Sequence, residues 1–288
     1  MTAFHCATCG AQFTPADAPP DNCPICDDPR QYVPASGQAW ISDSDLAAAH
    51  RNEIRREGAY DGVGLDPPFA IGQRALLVPA SERFVLWDCI PLVDDETAAE
   101  IDRRGGLAAI AISHPHYYTG MVDLAHRFGC PVLLHADDRE WIMRPDPVIE
   151  LWEGETRDLG DGLTLIRCGG HFDGGTVLHD ADNAALLSGD IVQVIPDLGW
   201  VGFMYSYPNL VPLPPETVLE IARKLEPYAF DAIYGAWWGG WCRATAPRSS
   251  SARPSATRGR CAASCRRPRA GYPRSAPGSS PAGRATRR

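Results

Sequence analysis

The sequence predicts an α+β chain: a two-sheet sandwich with helices on its outer faces, a small metal-held module before it and a disordered tail after it. Three observations predict this. Short apolar or alternating runs, read as strands, interleave with single amphipathic stretches, read as helices, and that order packs two sheets face to face with helices outside. Four cysteines near the start form two CxxC pairs. After Trp241 the composition changes abruptly to Ala, Arg, Ser, Pro, Gly and Thr.

The first module is assigned to residues 1–36. Cys6-Ala7-Thr8-Cys9 and Cys23-Pro24-Ile25-Cys26 stand 13 residues apart, able to close one tetrahedral S4 site. Gly10 after Cys9 and Pro24 within the second pair resemble rubredoxin-like knuckles and zinc ribbons, whose turning backbone amides point at the thiolates. So small a segment cannot bury enough apolar surface to fold alone, and its stability is expected from the metal. Structural zinc is the expected ion; a redox iron of rubredoxin type is the alternative. A dithiol redox pair is disfavoured, because no βαβ thioredoxin pattern is nearby. Cys89, Cys130 and Cys168 sit in apolar contexts as core thiols.

Residues 37–60 are read as a linker carrying a polar helix over Leu46–Glu57, and residues 61–241 as the main domain. Strands are expected at Phe69–Val78, Arg83–Ile90, Leu107–Ile112, Pro131–His135, Leu163–Cys168, Thr176–His179, Ala184–Leu187 and Ala229–Tyr234. Helical periodicity marks Glu96–Arg103, Met121–Phe128 and Glu216–Leu225, the last opened by Pro214-Pro215.

Three of these strands end in metal-ligand chemistry. His114 and His116 follow the run 107–112, and in an extended segment residues two apart point the same way. His171 is flanked by Gly169, Gly170, Gly174 and Gly175, and Asp190 ends Leu187-Ser188-Gly189. Three imidazoles and a carboxylate suit a zinc ion that keeps a water. His5, His50, His126, His135 and His179 read as surface or core residues, although His135 closes a strand and could support or replace a ligand. The aromatic segment Trp200–Asn209, with Trp237 and Trp238, has the composition of a pocket wall.

An HxH after a strand, a glycine-flanked histidine and a strand ending in Gly-Asp resemble the metallo-β-lactamase superfamily, over roughly residues 60–240. The resemblance implies an αββα sandwich and a hydrolase that uses a metal-bound hydroxide. It maps the three-histidine pocket onto His114, His116 and His171, with Asp190 at the position that usually bridges two metals. The family's HxHxDH motif is altered, Tyr118 and Thr119 replacing its Asp and last His, and no late histidine stands in Ile233–Gly239. A single-metal site is therefore expected, with Asp190 orienting the water. Tyr118 either donates to the developing oxyanion or fills the vacated second pocket as an aromatic plug. Two rivals accompany the hydrolase: a non-catalytic interaction protein that keeps the fold, and a redox protein with an iron ribbon.

The net charge of −9 is unevenly divided. Residues 1–240 carry 15 basic and 36 acidic side chains, a balance of −21, and residues 241–288 carry 12 arginines and no acid. An acidic body disfavours nucleic-acid binding, leaving a small-molecule substrate of unknown identity and an undefined oligomeric state. No apolar run of membrane length and no signal peptide is seen, so the cytoplasm is the expected location. Residues 242–288 cannot offset their folding entropy by apolar burial and are expected to be disordered. Their composition also fits a shifted reading frame of a GC-rich gene, with a terminal amphipathic helix in the alternative frame.

Overall fold

The computed structural model describes residues 1–244. In the N-terminal module, strand β1 (Phe4–Cys6) pairs antiparallel with β2 (Trp40–Ser42), and between them lies the one-turn helix α1 (Pro24–Asp27). Helix α2 (Asp43–Ala49) follows, capped by Ser42, whose hydroxyl accepts the Asp45 N–H. It ends earlier than the sequence suggests: Arg51–Glu57, read as part of a helix, forms strand β3. Its residues are charged and half exposed because β3 is the edge of its sheet, where charge blunts edge-to-edge pairing at the cost of the alternating signal.

The first sheet runs β3, β4 (Tyr60–Asp66), β5 (Ala75–Ala80), β6 (Arg83–Trp87), β7 (Leu107–Ala111), β8 (Val132–His135) and β9 (Ile149–Trp152), in sequence order. It is antiparallel up to β6 and parallel from there. Helices α3 (Asp95–Arg103) and α4 (Met121–Phe128) make the crossovers, α3 starting at the Asp94 cap and α4 ending at Gly129 in the left-handed conformation. The second sheet is β10 (Thr156–Gly160), β11 (Leu163–Arg167), β12 (Thr176–Asp180) and β13 (Ala185–Gly189), then β18 (Ala232–Gly235) and β19 (Trp241–Arg243). Between β13 and β18 come two short hairpins, β14 (Gln193–Val194) with β15 (Val201–Gly202) and β16 (Met204–Ser206) with β17 (Val211–Pro212), and helix α5 (Pro215–Leu225).

Strand alternation builds the layers. Leu76 and Val78 of β5 face Leu165, Leu178 and Leu187 of the second sheet, while Ala75 and Leu77 turn the other way towards Ile101, Met121 and Val122 of the helices. On the far side, Ile166, Val177 and Leu186 pack on Ile221 and Leu225 of α5. The order is helix, sheet, sheet, helix. Residues 242 and 243, assigned by sequence to the tail, complete β19 against Ile233 and Ala232. The expected tail and alternative-frame helix otherwise lie outside the described residues. Among the described residues, no helix is long and apolar enough to cross a membrane.

Candidate metal centre

The chain leaves β7 through Ser113, which is pinned from two sides: Asp88 Oδ1 accepts its N–H at 2.9 Å, and its carbonyl accepts the Thr176 N–H at 2.8 Å. His114 is extended, at φ −170° and ψ 170°, but Pro115–Tyr117 closes a 3-10 turn. The two histidines therefore converge through a turn, not through the strand alternation expected from their spacing.

His114, His116, His171 and Asp190 each present a ligand atom within 4.8 Å of the others. All four side chains are buried, none more than 3% exposed. His114 Nε2 lies 3.2 Å from Asp190 Oδ1, and His116 Nδ1 lies 3.2 Å from His171 Nε2. The ring of His171 is oriented from behind, its Nδ1–H donating to the Tyr205 carbonyl at 2.9 Å, which leaves the Nε2 lone pair facing inward. His114 Nδ1 is likewise 2.9 Å from Ser113 Oγ. His116 presents the opposite nitrogen, and its Nε2 is buried without a partner.

Burial, then the charges of neighbouring histidines, holds His114 and His116 well below the ordinary imidazole range. His171 is lowered to about 4 by burial, with the Arg30 charge adding to it. Asp190 is pushed up to about 8 by burial, reinforced by Asp88. Three neutral imidazoles and a carboxyl thus converge in a buried site, with His114 Nε2 and Asp190 Oδ1 lacking any well-formed hydrogen bond. Converging unsatisfied donor atoms of this kind are costly unless a cation joins them, so the residues fit a divalent metal.

The four cysteines also come together, with Sγ separations of 3.6 Å for Cys6 and Cys26 and 3.7 Å for Cys9 and Cys23. A tetrahedral ion with metal–sulfur bonds of about 2.3 Å needs sulfurs about 3.8 Å apart, so this cluster fits a metal as well.

Other assignments fare unevenly. Tyr118 is buried in the cluster beneath α4, and the ring that packs on His114, at 4.4 Å between centroids, is that of Tyr117. The segment 204–209 does line the site: Tyr207 packs on His171 at 5.6 Å, and its hydroxyl donates to the Asp190 carbonyl. Trp200 is 57% exposed and is no part of that wall. Trp237 donates to the Ile71 carbonyl, and Trp238 covers Gly62 and Gly64, so neither extends the wall as expected. His135 lies outside the ligand group; its Nε2 is 3.0 Å from the Gly154 carbonyl and its ring packs on Trp152.

Sequence reasoning also missed how the N-terminal module sits. Its cysteine cluster packs on Trp141 and Met143 of the main domain. A polar chain runs from His5 through Asp43 and Gln12 to Asp123 of α4 and on to Arg144. Residues 29–31 reach the metal centre itself: Asn209 donates to the Pro29 and Gln31 carbonyls, and the Arg30 guanidinium stacks on Phe172 beside His171.

No protein-family model matches the chain. A Bacillus subtilis protein, described as the uncharacterized protein YmaE, is 43% identical over 244 residues, covering 82% of this chain and 89% of that one. Among solved structures, TMB-1 matches at a TM-score of 0.50 and 14% identity, covering 67% of this chain and 92% of that one. The DIM-1 metallo-β-lactamase matches at a TM-score of 0.50 and 13% identity, over 65% of this chain and 90% of that one. Likeness at this identity establishes the fold alone, that of the metallo-β-lactamases.

Proposed function

This chain belongs to the same family as YmaE of Bacillus subtilis, and we propose that it is a zinc-dependent hydrolase with one metal in the main domain and a structural zinc in the N-terminal ribbon. The observation that carries the reading is the convergence of His114, His116, His171 and Asp190 within 4.8 Å, buried and short of partners. Bound there, zinc would supply Lewis acidity, lowering the pKa of a water ligand and polarising a carbonyl or ester.

The chain's own residues do the rest. His114, His116 and His171 would hold the ion, and Ser113 and the Tyr205 carbonyl fix the His114 and His171 rings from behind. Asp190, with Oδ1 turned towards His114, would complete the shell or orient the water. Phe172 packs on all three imidazoles and keeps bulk water out. Tyr117, not Tyr118, is the aromatic ring that fills the space beside His114. The substrate is a small molecule whose class the site does not select.

One observation favours a second reading, the non-catalytic interaction protein: residues 29–31 and 204–209 close over a ligand set no more than 3% exposed. Metal analysis and a substrate panel separate the two. The hydrolase reading expects two zinc ions per chain and turnover of at least one chromogenic lactam, thioester, ester or phosphodiester, with one zinc and no turnover in His116→Ala. A parent protein holding a single metal that is lost in Cys6→Ser would mark the histidine site as vestigial.

A further inference from the structure

We propose that Arg30 of the ribbon is a positioning residue for the main-domain metal, so that the thiolate site sets the affinity of the histidine site; this rests on the reading that the histidine group binds a metal. A continuous set of contacts connects the two centres. Cys23 stands at the N-cap of α1 and Cys26 within it, and the Asp28 N–H donates into that turn, to the Pro24 carbonyl, at 3.2 Å. Asp28 then aims Arg30 with a two-pronged contact, accepting from Nε at 2.6 Å and from Nη2 at 2.9 Å. The guanidinium carbon sits 3.9 Å from the Phe172 ring centroid and 5.0 Å from that of Trp141. Its Nη1 donates to the His171 carbonyl at 3.4 Å, and the Arg30 carbonyl in turn accepts the Ser206 hydroxyl at 3.0 Å.

His171 needs this support. It stands in an irregular loop entered through Gly169 and Gly170, both at positive φ (72° and 89°), a backbone with wide freedom. The Tyr205 carbonyl fixes its ring; Arg30 fixes its backbone and the neighbouring Phe172. The Asp28 carboxylate also cancels the guanidinium charge, which would otherwise repel a cation in the site.

Cobalt(II) loading of the full chain gives each site its own signal. Thiolate-to-cobalt charge-transfer bands report the ribbon, and the weaker d–d bands of an imidazole site, followed during chelator competition, report the main domain. Arg30→Ala is expected to keep the charge-transfer bands at full intensity and weaken the main site by about 10–100-fold, the usual effect of removing a group that orients a ligand. Arg30→Lys is expected not to rescue it, since lysine has neither the fork nor the planar face. Asp28→Asn is expected to act in the same direction and decides the matter if Arg30→Ala loses the ribbon. Unchanged main-site affinity in a variant with an intact ribbon signal overturns the inference alone. A parent chain binding no second cobalt overturns the inference together with the functional reading beneath it.

Discussion

Ser113 Oγ lies 2.9 Å from His114 Nδ1, and this contact decides which nitrogen of His114 faces Asp190. With Nδ1–H donating to the hydroxyl, the Nε2 lone pair is free for a cation. Ser113→Ala removes the acceptor and lets the ring rotate or change tautomer. Main-domain zinc affinity is expected to fall by about 10–100-fold, with the ribbon metal retained. Chelator competition followed by metal analysis measures both.

The ribbon's dependence on its metal gives a second expectation. Its core is little more than the four cysteines, Ala11 and Ile25. Cys6→Ser or Cys26→Ser should release the ribbon metal, weaken binding at the histidine site through the loss of Arg30, and open residues 1–36 to limited proteolysis, because ligation supplies most of that module's folding free energy. Resistance to protease at unchanged metal content would contradict this.

Much of the site was legible because its chemistry lies in residue type and position: histidines and an aspartate after apolar strands can be placed without knowing the strand order. Helix Met121–Phe128 was legible for a similar reason, its apolar face recurring at helical spacing. What stayed hidden depends on tertiary contact. Arg51–Glu57 looks helical because its one apolar residue, Ile54, sits on a charged edge strand. Tyr117 and Tyr118 are adjacent and alike, and only the 3-10 turn after His114 decides which ring meets the histidines. Arg30 pairs locally with Asp28, but nothing local marks its place at the metal centre, since Phe172 and Ser206 are far along the chain.

Asp88 offers a pH-dependent test. It is fully buried, accepts the Ser113 N–H at 2.9 Å and is pushed up to about 7 by burial, against the lowering effect of Ser113 and Arg74. A carboxyl raised in the folded state stabilises fully below its unfolded pKa, and that contribution is lost as pH rises through the folded value. Asp88→Asn cannot titrate and keeps an oxygen for Ser113. The stability of the parent relative to this variant is expected to fall between about pH 4 and pH 7 and then level off. Urea melts of the proteins with the main site metal-free across that range check the sign; a difference independent of pH would exclude an ionising Asp88.

Gly189 separates stability from site geometry. Its φ is +54°, and a Cβ there would lie 2.8 Å from Ser113 Oγ and 3.2 Å from Asp88 Oδ2. Gly189→Ala should cost about 1–3 kcal/mol through the left-handed backbone and the collision, and it should also drive Ser113 away from His114 and shift the adjacent Asp190. Gly105 is the control: its φ is +115° and a Cβ would lie 1.9 Å from the Glu82 carbonyl, at the turn between α3 and β7, so alanine there also destabilises. Because Gly105 touches no ligand or ligand support, its folded fraction should bind main-site zinc as the parent does, while that of Gly189→Ala should bind it more weakly. Zinc titration at a temperature where both variants remain folded, judged by circular dichroism, gives the comparison, and equal affinities would show that Ser113 tolerates displacement without effect on His114.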